Sequence, residues 1–378
     1  MNLKLWLGAI VVTLMASVGA LLFTGLPEEP LDQGRPLSAW LLDLEDQRPG
    51  AGSDRAEAAV RHLGRKALPG LRRRLRVDSP LTIRLNALLA RQSLVQFRFA
   101  LADQDRYRRA LLACSVLGRE AEPLVLDIIH LLNHDRTGIV GRGYLGAALD
   151  RIGPSAMAAL LPSLASPKEV VRIEAIRSLG NGAALNGGYP VGLGDTVARA
   201  LAPLTGDPSP GVRSLACRAL GQVRCGAARA VPALVARLAD TDRRVRWHAC
   251  LALGEFGAAA ITAMPALLVA LQDPAAEVRG SAAVAMVEVQ QAHVVALADV
   301  LPVLIANLEG GGGAESGARL GVGQLRFYTA GAVGLLGTRG RAAVPALLRV
   351  IENGDTATRE VALNSLRKIL IPPAGGSR

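Results

Sequence analysis

Three segments spaced 33 residues apart constrain this chain more than any other feature: "DPSPGVRSLACRALGQV" from Asp207, "DTDRRVRWHACLALGEFG" from Asp240 and "DPAAEVRGSAAVAMVEV" from Asp273. Self-similarity at a fixed period of this size is the mark of stacked supersecondary units. Aligned on a Val-Arg step, the series reads Val171-Arg172, Val212-Arg213, Val245-Arg246 and Val278-Arg279. Leu325-Arg326 and Thr358-Arg359 continue it, and Ile83-Arg84 and Gly141-Arg142 precede it more loosely. Three residues after the Arg stands a small residue (Ala175, Ala216, Ala249, Ala282, Thr329, Ala362) that lets neighbouring backbones approach. Eight after it stands Gly180, Gly221, Gly254 or Gly334, where a left-handed helix cap is expected.

A second template precedes each of these segments. "AVPALVARLAD" (230–240), "AMPALLVALQD" (263–273), "VLPVLIANLEG" (300–310) and "AVPALLRVIEN" (343–353) place Pro in the first helical turn, where its missing N–H costs nothing. Leu residues four apart, such as Leu234 and Leu238 or Leu267 and Leu271, mark one apolar face. Each unit is therefore a helix, a short Asp-containing turn and a second helix. One such hairpin cannot bury its face alone, but a stack forms a continuous core. The chain is half hydrophobic yet only 3% aromatic, so that core must be built from Ala, Leu and Val.

The pattern resembles the HEAT repeat family, in particular its short bacterial HEAT-like repeats, with "VPALVARLADTDRRVRWHACLALGEFG" close at every defining position. The resemblance covers roughly 37–370 and is strongest over 156–304 and 343–370. It implies an all-α fold, an α-α superhelix offering an extended concave surface to protein partners, and it implies no chemistry. "GRPLSAWLLDLED" and "DRAEAAVRHLG" look like a divergent N-terminal cap at 37–66; irregular basic repeats follow at 67–120 and regular ones at 121–370, with a tail at 371–378.

The N-terminus is a separate object. Leu5 to Leu26 is 22 residues without a charge. As a helix it extends roughly 33 Å, enough to cross a hydrocarbon core of about 30 Å. A transmembrane anchor at 5–26, joined to the repeats by a linker at 27–36, is the expectation. A cleaved signal peptide is the rival, with "VGA" at 18–20 as its processing site. Lys4 before the span, and Glu28, Glu29 and Asp32 after it, place the repeats outside the cytosol, in a periplasm, or secreted if residues 1–20 are removed.

The net charge of +11 is local: residues 54–120 hold 15 Lys and Arg against 6 Asp and Glu. Its centre is the basic patch Arg72, Arg73, Arg74 and Arg76 in "LRRRLR". Such a patch reads as a solvated arginine-rich face, or as a contact for anionic lipid or an acidic partner. Nucleic acid is disfavoured by the shortage of stacking aromatics and by the expected compartment. Asp207, Asp240 and Asp273, each six residues before an Arg of the Val-Arg step, are expected to form a structural ladder in which each Asp receives a stacked Arg from the next unit.

Insertions at 181–195 and 310–324 lengthen two units and read as mobile loops. Neither carries a G-K-[ST] or follows a strand, which argues against nucleotide binding. His130 and His134, with Asp135 adjacent, have spacing that could hold a metal, but no third ligand is identifiable. Deoxyhypusine hydroxylases, an enzymatic HEAT family, need His-Glu steps, and none occurs here. Cys114, Cys217, Cys225 and Cys250 form no disulfide framework. The sequence thus points to a non-catalytic, membrane-tethered protein-binding scaffold without cofactor or metal. The alternatives are a phycobilin-lyase-like protein presenting a bound small molecule, and an electrostatic binder of lipid or nucleic acid through 54–120.

Overall fold

The computed structural model describes residues 29–44, 52–76, 103–134, 143–185, 188–190, 192–290, 297–310 and 319–371. The apolar segment 5–26 lies outside them. Among the described residues, no helix is long and apolar enough to cross a membrane.

The described residues open with a short hairpin, β1 (Leu31–Asp32) and β2 (Arg35–Pro36), inside the segment read as a linker. It is tied to the helices by the Trp40 indole, which donates to the Asp32 carbonyl at 3.4 Å. Helical hairpins follow: α1 (Leu37–Asp43) with α2 (Ser53–Leu63), α3 (Leu68–Leu75) with α4 (Asp103–Leu117), and α5 (Val125–His134) with α6 (Tyr144–Ile152). The regular units are α7 (Pro154–Leu160) with α8 (Glu169–Leu185), α9 (Leu193–Leu201) with α10 (Pro210–Val223), and α11 (Ala227–Arg237) with α12 (Arg243–Glu255). The array ends with α13 (Met264–Ala270) and α14 (Ala276–Gln290), α15 (Leu297–Glu309) and α16 (Arg319–Leu335), and α17 (Val344–Asn353) and α18 (Thr356–Leu370). The expected all-α solenoid is what the chain forms.

From α4 onward, each second helix packs directly on the second helix of the next unit. The first helices meet one another more sparsely. In a two-layer stack the layer with the closer contacts lies inside the curve, so the second helices form the inner wall. The six small residues three after the Arg are all completely buried within one continuous core.

The glycines eight after the Arg are not caps. Gly180, Gly221, Gly254 and Gly334 all lie inside helices. A Cβ on Gly221 would lie 2.9 Å from Ala252 Cα, one on Gly180 3.2 Å from Ala219 Cα, and one on Gly254 3.2 Å from Ala285 Cα. These glycines permit helix-to-helix contact between units. The left-handed backbone comes three residues later, at Arg224 (φ 52°), Gly257 (φ 53°) and Gly337 (φ 55°).

Proline placement also divides. Pro265 and Pro345 lie in the first turn, each after a 3-10 stretch. Pro232 and Pro302 sit inside longer helices, because α11 and α15 begin about a turn earlier.

The Asp/Arg set is a ladder, but it runs opposite to the expected direction. Arg172, Arg213 and Arg246 each reach forward to the Asp of the following unit: Asp207, Asp240 and Asp273. Each of Arg213, Arg246 and Arg279 also donates through Nη1 to the carbonyl of the Asp of its own turn, at 3.1, 2.9 and 2.8 Å. One side chain thus fastens two consecutive turns. Gly310 and Asn353 occupy the Asp position in the last two units. The rungs therefore stop at Asp273.

Candidate functional site

In a repeated second helix, the side opposite the core falls at fixed register positions. In α12 these are Trp247, His248, Leu251 and Glu255. The equivalents are Ile173, Glu174 and Arg177 in α8, Ser214, Leu215, Arg218 and Gln222 in α10, Gly280, Ser281, Val284 and Glu288 in α14, and Phe327, Tyr328, Gly331 and Leu335 in α16.

The small residues are at α14 and the bulky ones flank it. The Ser214–His248 hydrogen bond joins the register of position 247 in one unit to the register of position 328 in the next. Trp247 and Tyr328 thus stand on the two helices that flank α14, whose Ser281 and Val284 are completely buried. Phe327 meets Tyr328 edge to face, with ring centroids 5.7 Å apart. In a chain this poor in aromatics, the inner wall gathers an apolar saddle.

Beside it lies an unbalanced charge. Burial and the neighbouring Arg177 both depress the Arg218 guanidinium, and only the Tyr328 phenol acts in the opposite sense. Arg218 Nε is buried without a hydrogen-bond partner among the described residues. Arg177 is committed to Glu174, which is 1% exposed.

His248 leans toward the preceding unit and shares a 2.7 Å hydrogen bond with the Ser214 hydroxyl. Burial, aided by the Arg218 charge, pushes this imidazole down to about 4, so it is neutral at pH 7. At the far end of the wall, burial and the nearby Glu255 push the Glu288 carboxyl up to about 7. Glu255 itself pairs with Arg224 at 2.5 Å.

The residues singled out in the sequence fall elsewhere. Within the basic patch, Arg72 Nε reaches Asp127 at 2.9 Å, and Arg74 reaches Glu29 at 2.7 Å. Arg76 presents its carbonyl to Arg106 and Tyr107. His130 and His134 stack, centroids 4.1 Å apart, with His134 Nδ1 2.9 Å from the His130 carbonyl oxygen. Asp135 lies outside the described residues. All four thiols are unpaired, and burial pushes Cys114 and Cys217 up to about 12. The insertion at 181–195 is anchored at Tyr189, whose hydroxyl donates to the Leu179 carbonyl at 2.5 Å.

HEAT repeat models match residues 197–287 and 239–310, and a HEAT-like repeat model matches 169–223. Among solved structures, the chain is similar to the karyopherin Kap121p bound to the SUMO protease Ulp1p, at 17% identity and TM-score 0.55. It is likewise similar to Kap121p bound to the extreme C-terminus of the protein phosphatase Cdc14p, at 18% identity and TM-score 0.54. In both, the match covers 88% of this chain and 37% of the karyopherin chain, so this chain spans little more than a third of those proteins. At such identities the likeness concerns the fold. No curated protein matches the sequence. Residues 169–310 of the chain are HEAT repeats.

Proposed function

We propose that this protein is a scaffold that grips a protein partner on the inner wall of its solenoid, with no reaction of its own. The observation that carries this reading is the saddle of Trp247 and Tyr328 next to a half-buried Arg218 that lacks a counter-ion among the described residues. Aromatic and Arg side chains in partly desolvated positions are the usual anchors of protein interfaces. The likeness in fold to the karyopherin Kap121p, solved bound to the SUMO protease Ulp1p and to the extreme C-terminus of the protein phosphatase Cdc14p, supports it.

The uncharged stretch 5–26 supports tethering to a membrane with the repeats outside the cytosol. A photo-crosslinking residue placed at Leu251 on the inner wall should capture a defined protein, whereas one at the exposed Val269 of α13 should not. Equal capture at both positions, or none at Leu251, would contradict the reading. Membrane fractionation of the full chain and of one lacking 5–26 tests the tether.

A further inference from the structure

The scaffold reading leaves the partner's chemistry open, and the charges of the inner wall narrow it. Arg218 is a cation already partly removed from water, with a second cation beside it and no carboxylate acting on it. Water has been partly stripped from the guanidinium, but no anion has replaced it. Glu174 does not relieve the site, because its carboxylate is committed to Arg177. The Tyr328 phenol acts on Arg218, and on the adjoining helix Trp247 carries an indole Nε1 that is also buried without an acceptor among the described residues.

The site therefore lacks one negative charge and offers apolar area immediately beside it. We infer that the inner wall recognises an extended protein segment in which a single carboxylate side chain adjoins an aromatic or aliphatic residue. The carboxylate seats against Arg218 as a charge-assisted hydrogen bond, and its neighbour lies in the saddle between Trp247 and Tyr328.

The acidic residues of the same wall decide between anions. Glu174 and Glu255 are already matched by Arg177 and Arg224, so Arg218 is the one unmatched cation of this stretch, too few for the row of phosphates of a nucleic acid or a charged lipid surface. It is enough for one carboxylate.

The inference rests on the scaffold reading and is tested separately from it. The probe is a displayed library of random short peptides selected on the full chain, on Arg218→Gln and on Arg218→Lys. Matching unfolding midpoints confirm that the variants fold. Wild type should enrich peptides with Asp or Glu beside an aromatic or aliphatic residue. Arg218→Gln should lose that acidic preference, with at least about tenfold weaker binding of the enriched peptides, and Arg218→Lys should retain the preference in part. Peptides that bind the inner wall without acidic bias, or equally to Arg218→Gln, would overturn the inference and leave the scaffold intact. Absence of any enriched peptide would overturn both. Binding of anionic vesicles or a single-stranded oligonucleotide that depends on Arg218 would reassign the site to that ligand.

Discussion

Arg213 reaches from one repeat to Asp240 of the next, donating through Nε and Nη2 to both carboxylate oxygens at 2.8 Å. The same guanidinium holds the carbonyls of its own turn at Asp207 and Pro208, and Asp240 in turn accepts the Asp242 N–H at 3.0 Å. Adjacent hairpins are thus fixed to each other by a planar fork as well as by apolar contact.

Replacing Asp240 with Asn should cost about 2 kcal/mol, because it leaves a largely buried guanidinium without its charge partner. Burial alone would raise the Asp240 carboxyl, but the bonds from Arg213 and the Asp242 N–H outweigh it and hold it below the usual range. A depressed carboxylate stabilises the fold at pH values above its unfolded value and loses that contribution as pH falls through its folded one. Denaturant midpoints from pH 7 down to pH 3 should converge for wild type and Asp240→Asn.

Gly221→Ala should destabilise by about 1–3 kcal/mol, since the added methyl meets the Ala252 backbone. Gly331→Ala, also inside a helix but with nothing nearer than 3.8 Å, should instead gain up to about 1 kcal/mol from helix propensity. Thermal unfolding of the two variants reads opposite signs. The same sign for both would refute the assignment of Gly221 to inter-repeat contact.

Asp150 is 7% exposed and its Oδ1 has no partner among the described residues. Burial pushes its carboxyl up to about 7. The folded chain therefore holds this proton more tightly than the unfolded chain, and the stabilisation is lost as pH rises toward 7. Asp150→Asn should be more stable than wild type at pH 8, by a margin that shrinks as pH approaches 4. Urea midpoints across that range measure it.

The period, the two helices of each unit and the burial of the small residues were legible because each follows from spacing alone. Gly221 and Gly254 were misread for a physical reason. Glycine near the end of a helical pattern signals a cap, and only the neighbouring helix reveals that the missing Cβ is needed for contact. The direction of the Arg–Asp rungs depends on which turn a long side chain reaches, and sequence offsets leave both turns open. The site itself was hidden: Trp247 and Tyr328 look like ordinary helix residues until α12 and α16 are seen to flank α14, and Arg218 looks like any solvated arginine until Arg177 is seen to be engaged by Glu174.

The measurement that tests the central claim most directly is a crosslinked pull-down of the full chain from its own cells, washed across rising salt, alongside Trp247→Ala and an Arg72→Gln, Arg73→Gln double variant. At about 0.5 M salt the Debye length is only a few ångströms, so a packed inner-wall interface should persist while a surface electrostatic one should not. The account predicts a defined protein retained by wild type and by the double arginine variant but lost from Trp247→Ala. Retention of that protein by Trp247→Ala, or recovery of only lipid or nucleic acid released at moderate salt, would contradict it and move the active surface to the arginine-rich N-terminal repeats.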